Sequence, residues 1–281
     1  MSLCGGNETL GCARGVIEMI KTILYLKLKS LQAQLAYPTS FLLKVASIAL
    51  IGFLGIPALL LLMTAFPSVG GWDFYMLGFM SALQDMAGGI YHGLFFSFYH
   101  HRRMVNEGEF DRLLVRPVHP LLQIMASSLD LSAIGGFVPG LVLLVITMPR
   151  VAVEWNVLNV AFLAIVVLSG AVIRWAVYLF LAAFDFWLEG VEGLTFVSEV
   201  FLESVFYFPV HIYGRALAFT ITFVFPYAFM AYFPTVYFFR LDVGMFPGVF
   251  AYLTPAVAVV STAIAIAFWS FGLRHYRSTG T

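Results

Sequence analysis

The sequence predicts an all-α fold, a polytopic bundle of membrane-spanning helices. Of its 281 residues 61% are hydrophobic and only 11% charged, with a mean hydropathy of +0.93, whereas a soluble domain carries roughly a quarter charged residues. Six apolar runs, at 41–64, 76–98, 121–148, 157–183, 215–239 and 250–271, reach the ~20 residues a helix needs to cross about 30 Å of hydrocarbon. None shows the alternating pattern of an outer-membrane barrel strand. The net charge is zero, so nucleic acid is not an implied partner.

The elements follow in order. Cys4 and Cys12 are the two cysteines, too few for a disulfide framework and without further metal ligands nearby. No cleavable leader is expected, because 1–15 lacks an apolar core. In 15–37, Ile17, Ile20, Leu24, Leu28, Leu31 and Leu35 recur every three or four residues. They form one stripe of a helix that would lie in the membrane interface, and Pro38 ends it. The first two spans, 41–64 and 76–98, are joined by a loop without Lys or Arg. Arg14, Lys21, Lys27, Lys29 and Lys44 precede or open the first span, Arg102, Arg103, Arg112 and Arg116 follow the second, and Arg274 and Arg277 follow the last. Basic residues resist translocation, so both termini and the loop 99–120 are expected in the cytoplasm, with an even number of crossings.

That loop is the most charged stretch of the chain. Glu109 and Asp111 stand at the start of a short helix, matching its positive end. Arg112 and Arg116 follow, and Pro117 and Pro120 stop it. Phe110, Leu113 and Leu114 are expected as an apolar knob suited to a groove on a soluble protein. The third and fourth spans are 121–148 and 157–183. Polar residues recur inside the runs: Gln84, Asp85, His92, Asp130 and Arg174, with Asp85 and Arg174 a conceivable buried pair. Beyond 185, Glu189, Glu192, Glu199 and Glu203 interrupt an apolar stretch, the last three within roughly 40° of one another on a helix. Such a line of acids must face protein, water or a cavity. It fits either a span lining a pathway or a helix lying on the membrane, with 215–239 then the fifth span.

Three segments carry a resemblance. Gly108, Phe110, Asp111, Leu114, Arg116 and Pro117, followed by Gln123, match a Gly-x-Leu/Phe-Asp-x-x-Leu-x-Arg-Pro signature; 206–235 carries Pro209, Tyr213, Pro226 and Pro234; the end carries Tyr276, Ser278, Thr279 and Gly280. In this order they resemble the membrane subunits of type-2 ABC exporters, over nearly the whole chain from about Lys21. The resemblance implies a multi-pass permease of the cell membrane with an interfacial helix and six spans. Glu109, Phe110, Asp111, Arg112, Leu113, Leu114, Arg116 and Pro117 would form a coupling helix. The implied partners are two copies of an ATP-binding subunit and a second permease, identical or related. The resemblance also places the fifth span at 191–208 and a re-entrant element at 215–239, where Pro226 and Pro234 break helices. Glu192, Glu199, Glu203 and Asp85 are then pathway candidates. The chain has no Gly-x-x-x-x-Gly-Lys-Ser/Thr loop to cradle phosphates, so ATP and magnesium are expected on the partner, with no cofactor and no catalysis here.

Two other classes compete. An ion-coupled transporter or channel would use Asp85, Asp130 and the glutamate line as a relay, but paired internal repeats are not evident. An intramembrane enzyme would draw on His92, His100 and His101, which lack a metal-ligand spacing.

Overall fold

The computed structural model describes residues 25, 27–95, 101–116, 118–127, 129–187, 207–242 and 248–276. The readings on Cys4, Cys12, Pro117, Glu189, Glu192, Glu199 and Glu203, and all but the end of 191–208, lie outside them.

The described residues are mostly helical. In chain order they form α1 (27–35), α2 (Pro38–Ala65), α3 (Phe74–Phe95), α4 (His101–Asn106), α5 (Glu109–Leu114), α6 (Pro120–Ser127), α7 (Ile134–Thr147), α8 (Val157–Ala182), α9 (Arg215–Phe219), α10 (Tyr232–Phe238) and α11 (Thr254–Leu273), with short 3-10 turns between them and a π-helical turn at Thr220–Val224. Among the described residues, four segments are long and apolar enough to cross a membrane: Pro38–Ala65, Leu131–Arg150, Val157–Phe186 and Gly248–Leu273. The chain is a multi-pass membrane protein.

α3 is long enough, at 22 residues, but Gln84, Asp85 and His92 leave it short of that apolarity. Its place in the bundle explains how it tolerates them. α3 packs against α7 on one side and α8 on another, so most of its surface meets protein. The α3–α7 contact is backbone-close. A Cβ at Gly140 would lie 2.8 Å from the Asp85 Cβ and 3.0 Å from the Ala82 carbonyl oxygen. Small residues that let helix backbones approach are the usual currency of packing inside membranes.

α2 packs on α7 by the same device, since a Cβ at Gly135 would come within 2.5 Å of the Val45 carbonyl oxygen. No α2 residue is fully buried, and its outer face presents Leu43, Leu50, Leu54 and Leu61, as lipid contact requires. α11 runs along α8, where Phe180 stacks on Phe268 at 4.5 Å.

The apolar run 121–148 is not one span, contrary to the sequence expectation. Asp130 adopts an extended backbone, and its side chain accepts hydrogen bonds from the Ser132 amide (3.0 Å) and hydroxyl (2.6 Å). That cap starts a new helix, so the membrane-length segment begins at Leu131 and α6 stands apart. The run 215–239 is also divided: Arg215–Val224 and Tyr227–Phe238 meet at 75° on either side of Pro226. α11 is tied to this bend by the Thr254 hydroxyl, which donates to the Phe229 carbonyl at 3.1 Å.

The expected stripe on α1 is only half the account. Leu28 and Leu35 are exposed, free to meet lipid. The face turned to the bundle is polar: Ser30 and Gln34 donate to the Leu129 carbonyl, and Gln34 Oε1 accepts from the Leu131 amide at 3.1 Å. Lys27 is partly buried on this face, which lowers its pKa.

Candidate functional site

Among the described residues, two places gather the polar chemistry. The first is the short helix α5. Gly108, at φ +71°, sits in the left-handed region that favours glycine and turns the chain into the helix. Phe110 then points inward and is fully buried. Its ring lies 5.0 Å from Tyr276, 5.5 Å from Phe186, 5.7 Å from His101 and 6.3 Å from Trp269. These neighbours come from the turn after α8, from α4, and from α11 and the residues that follow it. The expected apolar knob is therefore corrected: Phe110 is an internal anchor, since an aromatic ring this close to four others gains more from burial than from solvent.

Polar bonds fix the same helix. The Tyr276 hydroxyl donates to Asp111 Oδ1 at 3.0 Å. Burial, aided by that carboxylate, pushes the phenol pKa up to about 12, so it remains a donor at any physiological pH. Gln123 Nε2, carrying two protons, donates to the carbonyls of Leu113 (2.8 Å) and Val118 (2.6 Å), closing the turn after α5. Beneath lies His101, fully buried. The Trp269 indole N–H donates to its Nε2 at 3.2 Å, so Nδ1 carries the proton and donates to Asp185 Oδ2 at 3.1 Å.

What remains faces outward. Glu109, Arg112 and Arg116 are exposed, with Leu114 at 45% and Val115 at 85% exposure; Leu113 is half-buried. The signature thus divides into residues that hold α5 in place (Gly108, Phe110, Asp111, Gln123) and residues that present a surface (Leu114, Arg116). His101, Trp269 and Asp185 were missed as members of this site. The charge and aromatic content of the sequence near 99–103 read equally well as a lipid-headgroup belt.

The second place is a cavity of about 400 Å³ between α2, α3, α7 and α8. Asp85, Gln84 and His92 line it from α3, Lys44 from α2, Asp130 and Ser132 from the start of the third membrane-length segment, and Arg174 from α8. Asp85 and Arg174, a conceivable pair from sequence, do share this cavity. The Tyr207 hydroxyl donates to Asp85 Oδ1 at 3.4 Å. Lys44 pairs with Asp130 at 2.6 Å. Arg174 stands 5.4 Å from the Tyr91 ring centre and 5.9 Å from that of Tyr178. Tyr227 and Met230, beside the Pro226 bend, close another side. Of the four pathway candidates only Asp85 is among the described residues.

A family model described as ABC-2 family transporter protein matches residues 47–280, which takes in the first place and all of the second but Lys44. No curated protein and no solved structure matches the chain.

Proposed function

The chain belongs to the ABC-2 family of transporter proteins, and we propose that it is the membrane-spanning permease subunit of an ATP-driven exporter. A separate ATP-binding subunit, in two copies, supplies the energy, and a second permease, identical or related, completes the pathway. The observation that carries this reading is the construction of α5: a two-turn helix locked from within and bare on its outer side. A helix held this rigidly to the ends of two long helices is a lever. Displacing α5 moves Phe110 and Asp111, and with them Trp269 in the last turns of α11 and Tyr276 just after it, and, through Trp269, His101 of α4 and its partner Asp185 just after α8. ATP then shifts the membrane helices by the difference in binding energy that its subunit has for their two arrangements.

In this reading α5 and both termini lie in the cytoplasm of a cell-membrane protein with six spans. The partner docks on Glu109, Arg112, Leu114, Val115 and Arg116, because interface energy concentrates in a few desolvated residues. Leu114→Asp combined with Arg116→Glu is expected to reduce co-purification of the ATP-binding subunit at least about tenfold while the permease stays inserted and monodisperse. Wild-type recovery of the partner with this double variant removes the proposal.

The pathway runs beside Asp85 and along Glu192, Glu199 and Glu203, with 191–208 as the fifth span and 215–239 as a re-entrant hairpin. The 75° bend at Pro226 supports the hairpin. Single cysteines replacing Glu192 and Phe208, in a background without Cys4 and Cys12, are expected to label from opposite sides of the membrane. Labelling of both from the cytoplasm would move the fifth crossing to 215–239.

A further inference from the structure

Arg240 is the one non-glycine residue with a left-handed backbone among the described residues, at φ +52°. It stands just past the end of α10. There its amide donates to the Tyr237 carbonyl at 3.1 Å and the Leu241 amide donates to the Val236 carbonyl at 2.9 Å, the pair of bonds that closes a helix on a left-handed residue. Glycine is the usual occupant of that position, and any other side chain holds it at a conformational cost. The surroundings of the Arg240 side chain supply a use for it.

That side chain is exposed and lines a pocket of about 690 Å³. Glu154, Asn156 and Asn159 line it from the start of α8 and the residues before it, Tyr237 from α10, and Val249 and Tyr252 from the turn that leads into α11. The Tyr237 hydroxyl donates to Asn159 Oδ1 at 3.4 Å, which ties two of these walls together. The pocket lies at the opposite end of α8 from the coupling surface. Asn156 caps the first turn of α8, whereas Asp185 and Phe186, beyond its last turn, meet His101 and Phe110. At 1.5 Å per residue, the 26 residues of α8 put roughly 39 Å between the two ends.

Position and charge together identify the occupant. The membrane-length segments Val157–Phe186 and Gly248–Leu273 both begin at this pocket. That sets it at the level of lipid head groups, where tyrosines such as Tyr237 and Tyr252 settle. Exposed apolar side chains continue from it, Leu158, Ile165 and Leu168 along α8 and Val260 and Ile264 along α11, a surface for acyl chains. The described lining carries one cation, Arg240, and one acid, Glu154, and no ion pair joins them.

We infer that this pocket holds the head group of one phospholipid that carries an ammonium as well as a phosphate. The planar guanidinium of Arg240 takes phosphate oxygens in pairs, and the ammonium meets Glu154. A phosphatidylglycerol head group gives Arg240 the same phosphate but offers Glu154 only hydroxyls. The inference rests on the chain being a membrane protein and not on the partner docking at α5, so either can fail alone.

The test uses the full-length chain purified in maltoside micelles, with binding followed by native mass spectrometry. The probes are phosphatidylethanolamine, phosphatidylglycerol with the same acyl chains, and glycerophosphoethanolamine, the first head group without its chains. One phosphatidylethanolamine per chain is expected to bind saturably, at least about fivefold more tightly than phosphatidylglycerol and at least about tenfold more tightly than the free head group. Arg240→Gly suits the left-handed backbone, so its melting temperature should stay within about 4 °C of wild type while both phospholipids weaken by about tenfold. Glu154→Gln should leave phosphatidylglycerol binding unchanged and bring phosphatidylethanolamine down to it. Equal affinity of the wild type for the two phospholipids overturns the inference. So does unchanged phosphatidylethanolamine binding in a folded Arg240→Gly protein, and free head group bound as tightly as the lipid overturns the assignment to a lipid.

Discussion

Truncating Phe110 to alanine is expected to cost the protein about 3–5 kcal/mol of stability, the range for removing a fully buried phenylalanine side chain. The ring is enclosed by Tyr276, Phe186, His101 and Trp269, which belong to different parts of the chain and cannot collapse together into the space left. Leu114→Ala, on the outer side of the same helix at 45% exposure, should stay within about 0.5 kcal/mol of wild type. Thermal unfolding of the purified chain in detergent, read by size-exclusion chromatography, separates the two. A Phe110→Ala protein as stable as wild type, yet unable to hold its partner, would return Phe110 to the docking surface that the sequence assigned it.

That contrast also shows where sequence reading ends. A short helix led by Glu109 and Asp111 was legible, because charge placement acts locally, and the structure has it over Glu109–Leu114. The direction in which Phe110 points was not, because it depends on Trp269 and Tyr276 more than 150 positions away. Periodicity cannot orient so short a helix. Gly108, Asp111 and Gln123 stood in the signature, but their roles as hinge, acceptor and double donor exist only once Tyr276 and the carbonyls of Leu113 and Val118 are brought near.

The long helices were legible for the converse reason. Each is a run of apolar residues whose length alone decides the outcome, and 41–64, 157–183 and 250–271 agree with helices to within a few residues. The failure at 121–148 is instructive. Hydropathy averages over Asp130, whereas the backbone responds to it as a cap, and one carboxylate accepting from the Ser132 amide outweighs the apolar composition on both sides. On α1 the apolar stripe was visible, but the residues that fasten the helix to the bundle are Ser30 and Gln34, whose partners are backbone groups at 129–131. Such contacts leave no periodic trace.

The packing glycines carry the second large expectation. Gly140→Val should be among the most damaging single changes in the chain. A Cβ there would meet the Asp85 Cβ at 2.8 Å, with the Ala82 carbonyl oxygen and the Met86 amide nitrogen both at 3.0 Å. Two of these three atoms are backbone, so relief requires α3 and α7 to separate. Overpacking of this kind costs about 1–3 kcal/mol and occasionally more, and the two extra methyls of valine belong at the upper end. Gly136→Ala, one turn earlier on the same helix, is the control. Its Cβ would have only the Ile48 Cγ2 at 3.6 Å, an ordinary contact, and alanine in a helix gains about 0.5–1 kcal/mol over glycine. The expected result is a Gly140→Val protein of lowered melting temperature and poor monodisperse yield beside a Gly136→Ala protein at or above wild type. Equal stability of the two variants would mean that α3 and α7 do not pack with their backbones in contact, and the position of Asp85 would have to be set by something else.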